Sequence, residues 1–399
     1  MTAPPATLPP GAVLLHIGPY KTGSTAIQQA LADQRAALAE HGVYYPDGWR
    51  RLFREGHSLM QWAPRGKSVP PESVWDDFAA GIRARTERVC ISTEDFGRLR
   101  NADRAHKIVA DLGPDRLYVL AVARAYHRLL PSHWQERVKS TETLTYDAWL
   151  HEVLEGDDSL NAHRSFWTSH DIERMATHWL DVLPAERFTV VVSDDSDRLL
   201  LSGVFEQLLG LPAGLLAPHG GANASLSGDA TEVLRRVNEA FAARGWSDRD
   251  YRALVRHGVV RGLQDAGRSP YDAPMPGLPA WARPLVAERS ERRVAAIAAL
   301  GLRVVGDPSR LLPPDEEEGD DDGAGTGTGT AAEATVAVET ATAGVAGVLD
   351  AALRAAGRAA EAPAQPSQPP QSPAAGLPAV PGRTLARELG RRARRRLDR

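Results

Sequence analysis

Short apolar runs alternate with longer stretches in which apolar residues recur every three or four positions. Val13-Leu14-Leu15-His16-Ile17 is almost continuously apolar, as expected of a strand covered on both faces. Arg88 to Ser92, Leu117 to Val122 and Phe188 to Val192 repeat that pattern and read as three further strands. From Thr25 the apolar positions Ile27, Ala30, Leu31 and Leu38 fall at helical spacing, with Gly42 as a stop. Helical patterns also cover 103–112, 127–139, 146–154, 170–182 and 228–243. Strands alternating with helices predict βαβ units. The expected fold is therefore α/β, a three-layer P-loop-type arrangement around a mainly parallel sheet. Ligands of such sheets bind at the carboxyl ends of the strands.

The pattern stops after Pro314. Residues 315–330 read DEEEGDDDGAGTGTGT, which cannot bury enough apolar surface to fold. An Ala-rich stretch, 331–362, has the composition of a fluctuating helix, and Pro/Gln/Ser-rich sequence follows it to Pro381. The expected organisation is a disordered 1–10, a folded domain over 11–312, and a mostly disordered tail over 313–399 ending in a basic helix. That last segment, 383–399, carries eight arginines against Glu388 and Asp398, with Leu385, Leu389, Ala393 and Leu397 at four-residue steps. The stripe is thin and lacks aromatic anchors. A solvated tail is expected over membrane-surface contact.

A formal charge of −4 over 399 residues offers no global attraction for nucleic acid, so none is expected as a partner. The single cysteine, Cys90, lies in an apolar run, excludes an internal disulfide and is expected in the core. The Pro-rich start is not a signal peptide, and no segment is apolar over a bilayer-spanning length. A cytoplasmic protein is the expectation.

The segment with the most chemistry is Gly18-Pro19-Tyr20-Lys21-Thr22-Gly23-Ser24-Thr25, between the first strand and the first helix. A loop there aims backbone N–H groups and a helix N-terminus at one spot, which suits a phosphate. Gly18 and Gly23 permit the tight turn, Lys21 adds a full charge, and Thr22, Ser24 and Thr25 add hydroxyls. The bland alternative is a turn before a helix with an exposed lysine. Nucleoside triphosphatases place Lys after the second glycine; here Ser24 stands in that place and Lys21 precedes Gly23. Nor does a clear apolar strand end in a metal-binding Asp. The loop suits one phosphate without a metal.

Lys21-Thr22-Gly23-Ser24-Thr25 resembles the 5′-phosphosulfate loop of sulfotransferases that use 3′-phosphoadenylyl sulfate (PAPS), whose usual form is P-K-x-G-T-T. Pro19 is displaced by one position, Tyr20 intervenes, and Ser24 replaces a Thr. The family's companion motif follows its third strand: an Arg, then a Ser about eight residues on, which grip the 3′-phosphate. Arg124 and Ser132 match it after Leu117 to Val122. The likeness extends over roughly 11–243, through the segment Val204 to Leu211 and Asn223 to Ser227. It implies PAPS as co-substrate, no metal, and a small-molecule or glycan acceptor whose hydroxyl or amine receives the sulfuryl group.

Sulfuryl transfer needs charge stabilised on the leaving oxygen and a base for the acceptor proton. Lys21 suits the first role. Glu94 occupies the position of the histidine base in cytosolic relatives, and carbohydrate-acting relatives use a glutamate there. Its bland alternative is a helix N-terminal carboxylate. His57 is the second candidate base, while His170 and His178 read as structural and Asp95 as a cap or ion-pair partner. Phe53, Trp62, Trp75 and Trp134 are candidate pocket or core aromatics. The rival readings are a P-loop nucleotide kinase or triphosphatase, and a catalytically inactive binding protein of the same fold.

Overall fold

A computed structural model describes residues 6–46, 52–63, 67–99, 102–218, 225–243, 245, 247–267 and 273–314, with isolated positions between 341 and 354. Six strands form one fully parallel sheet: β1 (Val13–His16), β2 (Val43–Tyr44), β3 (Arg88–Ser92), β4 (Leu117–Ala123), β5 (Phe188–Val192) and β6 (Arg303–Val305), in the order β2-β3-β1-β4-β5-β6. The α/β fold with a central parallel sheet is thus as the sequence pattern implies. The order reverses around β1, which places a ligand crevice at the carboxyl ends of β1 and its neighbours.

Alternation along β1 sends its residues to two cores. Val13 and Leu15 pack with Ile91, Val119 and Val190 beneath α3 (Leu52–Met60), α4 (Ser73–Arg83), α5 (Ala102–Leu112) and α9 (Ile172–Leu180). Leu14 joins Cys90, Leu120 and Val122 on the opposite face, against α1 (Ser24–Asp33), α2 (Arg35–Glu40) and α10 (Leu200–Leu209). A third core is wholly helical. It joins α6 (Tyr126–Val138), α7 (Tyr146–Glu155), α8 (Asn161–His170), α11 (Gly228–Ala243), a π-helical stretch Tyr251–Val259, α12 (Val260–Ala266) and the start of α13 (Ala282–Ala299) around Trp149 and Phe166.

The helix expected from Thr25 breaks in two at Gln34, and α3, α4, α8, the π-helical stretch, α12, α13 and two short edge strands are additional to the elements read from the periodicity. Leu8, ahead of the domain start read from the sequence, is buried, and its N–H donates to Leu208 O at 2.9 Å. Beyond residue 314, helical Gly347 and Ala351 cross Gly258 so closely that a Cβ on Gly258 would lie 2.9 Å from that of Ala351. The acidic block, the Gly-Thr repeat and the basic 383–399 segment lie outside the described residues.

Candidate functional site

The loop between β1 and α1 is rooted in the sheet. Ile17 N–H donates to Leu120 O (2.9 Å), and Gly18 O accepts from Val122 N–H (2.7 Å). Gly18 has φ +82°, and a Cβ there would stand 2.7 Å from Glu94 Cγ, so both conformation and space require glycine. Gly23, at φ +94°, precedes α1 without a side-chain cap. The Ser24 and Thr25 N–H groups at the start of α1 consequently lack a side-chain cap and remain donors for an anion, while Ala26 N–H donates to Gly23 O (3.1 Å). Lys21 itself has φ +67°, a conformation that non-glycine residues adopt at a cost and that clusters at functional sites. Thr22 donates its hydroxyl to Pro19 O (2.7 Å), knitting the loop, whereas Thr25 is exposed.

Glu94 and Asp95 follow β3 after Thr93, so a carboxylate pair does stand just beyond the end of an apolar strand. Their surroundings differ. Glu94 is buried, with Oε1 accepting from Ser24 Oγ at 2.5 Å and Oε2 from Gln28 Nε2 at 3.3 Å. Both oxygens therefore latch the start of α1 to the end of β3. Asp95 accepts from the Tyr20 hydroxyl (3.2 Å) on Oδ1, and its Oδ2 lies 3.7 Å from His57 Nε2. Burial pushes the Asp95 carboxyl upward against the pull of His57 and Arg98. Burial also lowers His57, although Asp95 opposes that shift, so the imidazole is neutral near pH 7. The His57 ring meets Trp62 edge-on at 4.9 Å. Tyr20, Asp95 and His57 form a connected polar chain beside the loop.

Arg124 leaves the end of β4 and donates from Nη1 to Lys21 O at 3.2 Å, so the Arg124 motif and the Lys21 loop touch. Its Nη2 donates to both Asp195 carboxylate oxygens, at 3.1 and 3.0 Å. Ser132 sits half-buried on α6. Further along α6, Glu136 is shared by Lys21 (3.7 Å), Lys139 (3.9 Å) and Arg256 (3.6 Å). Burial lowers Lys139 to about 8. Lys139, Arg256 and Tyr20 thus belong to the site's charge network without having been singled out in the sequence. Lys139 was findable, since it follows Ser132 by seven residues and shares its helix face; Arg256 arrives only through tertiary packing.

Trp75 and Trp134 are core residues, Trp62 is 44 % exposed, and the Phe53 side chain lies outside the described residues. His170 is buried against His133, their ring nitrogens 3.0 Å apart. Among the described residues no His, Cys, Asp and Glu cluster has the makings of a metal site, and no helix is long and apolar enough to cross a membrane.

No protein-family model matches the chain, and no curated protein matches it. Among solved structures, a sulfotransferase from Alicyclobacillus acidocaldarius is similar over 60 % of this chain and 93 % of its own, at 14 % identity and a TM-score of 0.37. The functional reading rests instead on the site's own geometry.

Proposed function

We propose that the chain is a sulfotransferase that takes the sulfuryl group from PAPS. The observation that carries this reading is the contact between the Lys21 loop and Arg124. It joins an uncapped helix N-terminus carrying one lysine to an arginine whose Nη2 already holds both oxygens of a carboxylate, two anion-binding elements side by side. A nucleotide with separate 5′- and 3′-phosphates suits that pair. The Lys21 loop would hold the 5′-phosphosulfate, with the Thr25 hydroxyl and the α1 N–H groups as donors. Arg124 and Ser132 would hold the 3′-phosphate, Arg124 exchanging Asp195 for it.

In the reaction, an acceptor oxygen or nitrogen forms a bond to sulfur as the bond from sulfur to the 5′-phosphate oxygen breaks. Lys21 and the loop N–H groups stabilise the charge that develops on that oxygen. The acceptor proton goes to His57, which is neutral near pH 7 and oriented by Asp95. Between the two candidate bases, the hydrogen bonds favour His57. Both Glu94 oxygens already accept from Ser24 and Gln28, which suits a latch better than a proton acceptor.

Glu94 and Asp95 at the end of β3 are the feature that favours a triphosphate-using kinase. Ser24 in place of that loop's lysine, with its hydroxyl donated to Glu94, weighs against it. Calorimetry separates the two. 3′-Phosphoadenosine 5′-phosphate should bind at least about tenfold more tightly than ATP, a difference of one charge-assisted phosphate contact, and EDTA should not weaken it. Equal affinity for ATP, or loss of binding in EDTA, overturns the sulfotransferase reading.

A further inference from the structure

A cavity of about 300 Å³ opens between α8, α9 and α13, and none of the phosphate-loop residues lines it. Arg174, Arg289, Arg292 and Arg293 all face it. Arg293 is only 4 % exposed. Its Nη1 donates to Arg124 O at 3.0 Å and its guanidinium lies 3.7 Å from the centre of the Tyr126 ring, whose hydroxyl also favours the charge, but Nε and Nη2 make no hydrogen bond of regular geometry. Arg174 donates to Leu99 O (3.3 Å) and Thr168 O (2.9 Å) and leaves its buried Nε without a partner. Arg289 stacks over Trp167 at 4.5 Å.

Among the described residues no carboxylate lies within ion-pair distance of these four arginines. Asp171, Glu173 and Asp158 also line the cavity. Asp171, though, spends Oδ1 on capping α9 at Arg174 N–H (3.0 Å), Glu173 is exposed, and Asp158 faces solvent toward His163. Burial lowers Arg174, Arg289 and Arg293 from their ordinary values, the sign of cations taken out of water without enough compensation. Buried guanidinium N–H groups left open are costly, and a planar fork of donors is matched by an oxyanion.

We propose that this cavity binds a sulfate or phosphate group, held by the open N–H donors of Arg293 and Arg174 and by the charges of Arg289 and Arg292. The site is separate from the Lys21 loop and does not depend on the sulfotransferase reading. The group comes either as a free ion or as the ester of a small organic molecule.

The test is calorimetry on full-length Lys21→Ala protein, in which the loop loses its charge but keeps its backbone donors, titrated with inorganic phosphate and with glycerol 3-phosphate; the dependence on the cavity arginines tells the two sites apart. Binding should be retained there and should weaken at least about tenfold on adding Arg292→Gln or Arg174→Gln, the effect of losing one charge-assisted contact. Arg293→Gln should abolish it; because that side chain is buried, Arg292→Gln, at an exposed position, decides the matter should the former unfold. A clear preference for glycerol 3-phosphate identifies an ester ligand, and equal binding identifies a free ion; both support the site. No phosphate binding by Lys21→Ala protein, or binding indifferent to both Arg292→Gln and Arg174→Gln, overturns it.

Discussion

The loop at the end of β1 and the cavity between α8, α9 and α13 both offer positive groups to an anion, by opposite means. At the loop the donors are mainly backbone N–H groups, and the side chains around them are paired: Ser24 and Gln28 with Glu94, Thr22 with Pro19, Lys21 with Glu136. At the cavity the donors are full charges, and the buried Arg293 and the half-buried Arg174 keep buried N–H donors unpaired. A backbone site needs the right turn and little charge, so it tolerates emptiness cheaply. A site of buried cations is costly when empty, which makes its ligand a contributor to stability.

Acid should affect both regions, and it is the largest effect expected. His16, beside Ser92 in the sheet, is lowered to about 3 by burial, as is His170 in the helical part, and its partner His133 lies well below the usual range. Each is neutral when folded and takes up a proton when unfolded below about pH 6.5. Their stabilisation is therefore complete above pH 6.5 and lost as pH falls from there toward about 3. Each group costs about 1.4 kcal/mol per pH unit in that window, so His16 and His170 together cost about 3 kcal/mol per unit, and His133 adds in the same direction. Urea unfolding at a series of pH values measures the slope; a flat profile between pH 6 and 4 would contradict this account. His170→Asn should make the slope shallower.

Next comes the loop itself. Gly18→Ala places a Cβ against Glu94 at a positive φ and should destabilise the fold by about 2–4 kcal/mol. Gly277→Ala, with nothing within 4 Å of the added carbon, should cost far less in the same denaturation experiment.

Lys21→Ala should lower sulfuryl transfer by about 100-fold through lost charge stabilisation, read as kcat in a labelled-sulfate assay. Glu94→Gln should reveal a latch through reduced stability, about 1–3 kcal/mol, because its amide meets one of the two donors that the carboxylate accepts. A normal melting curve with abolished transfer would instead make Glu94 the base.

Smaller effects sharpen the electrostatics. The rate should fall as pH drops through the His57 pKa, since the protonated ring accepts no proton. Asp95 raises that pKa, so Asp95→Asn should move the acidic limb to lower pH. Asp195→Asn should strengthen binding of 3′-phosphoadenosine 5′-phosphate by about two- to fivefold, by freeing Arg124 from an exposed ion pair.

Four sheet strands and the turn between the first strand and the first helix are legible in the chain because each rests on local pattern. Continuous apolar runs mark strands buried on both faces, and glycines flanking a lysine mark a turn before a helix. Helix α13 was not legible, for a physical reason. Its buried positions Ala282, Val286, Ser290, Arg293 and Ile297 keep helical spacing, but two of the five are polar, so no apolar stripe appears. Strands β2 and β6 span two and three residues, too few for an alternation to register.

By itself, then, the sequence determined the alternating α/β order and the glycine-flanked turn between β1 and α1, since these depend on neighbours in the chain. Tertiary structure alone decided that Glu94 is tied to Ser24 while Asp95 meets His57, and that four arginines from α9 and α13 share one cavity. Those outcomes depend on which residues, distant in sequence, the sheet order and helix packing bring within a few ångströms, and on how much water is left between them.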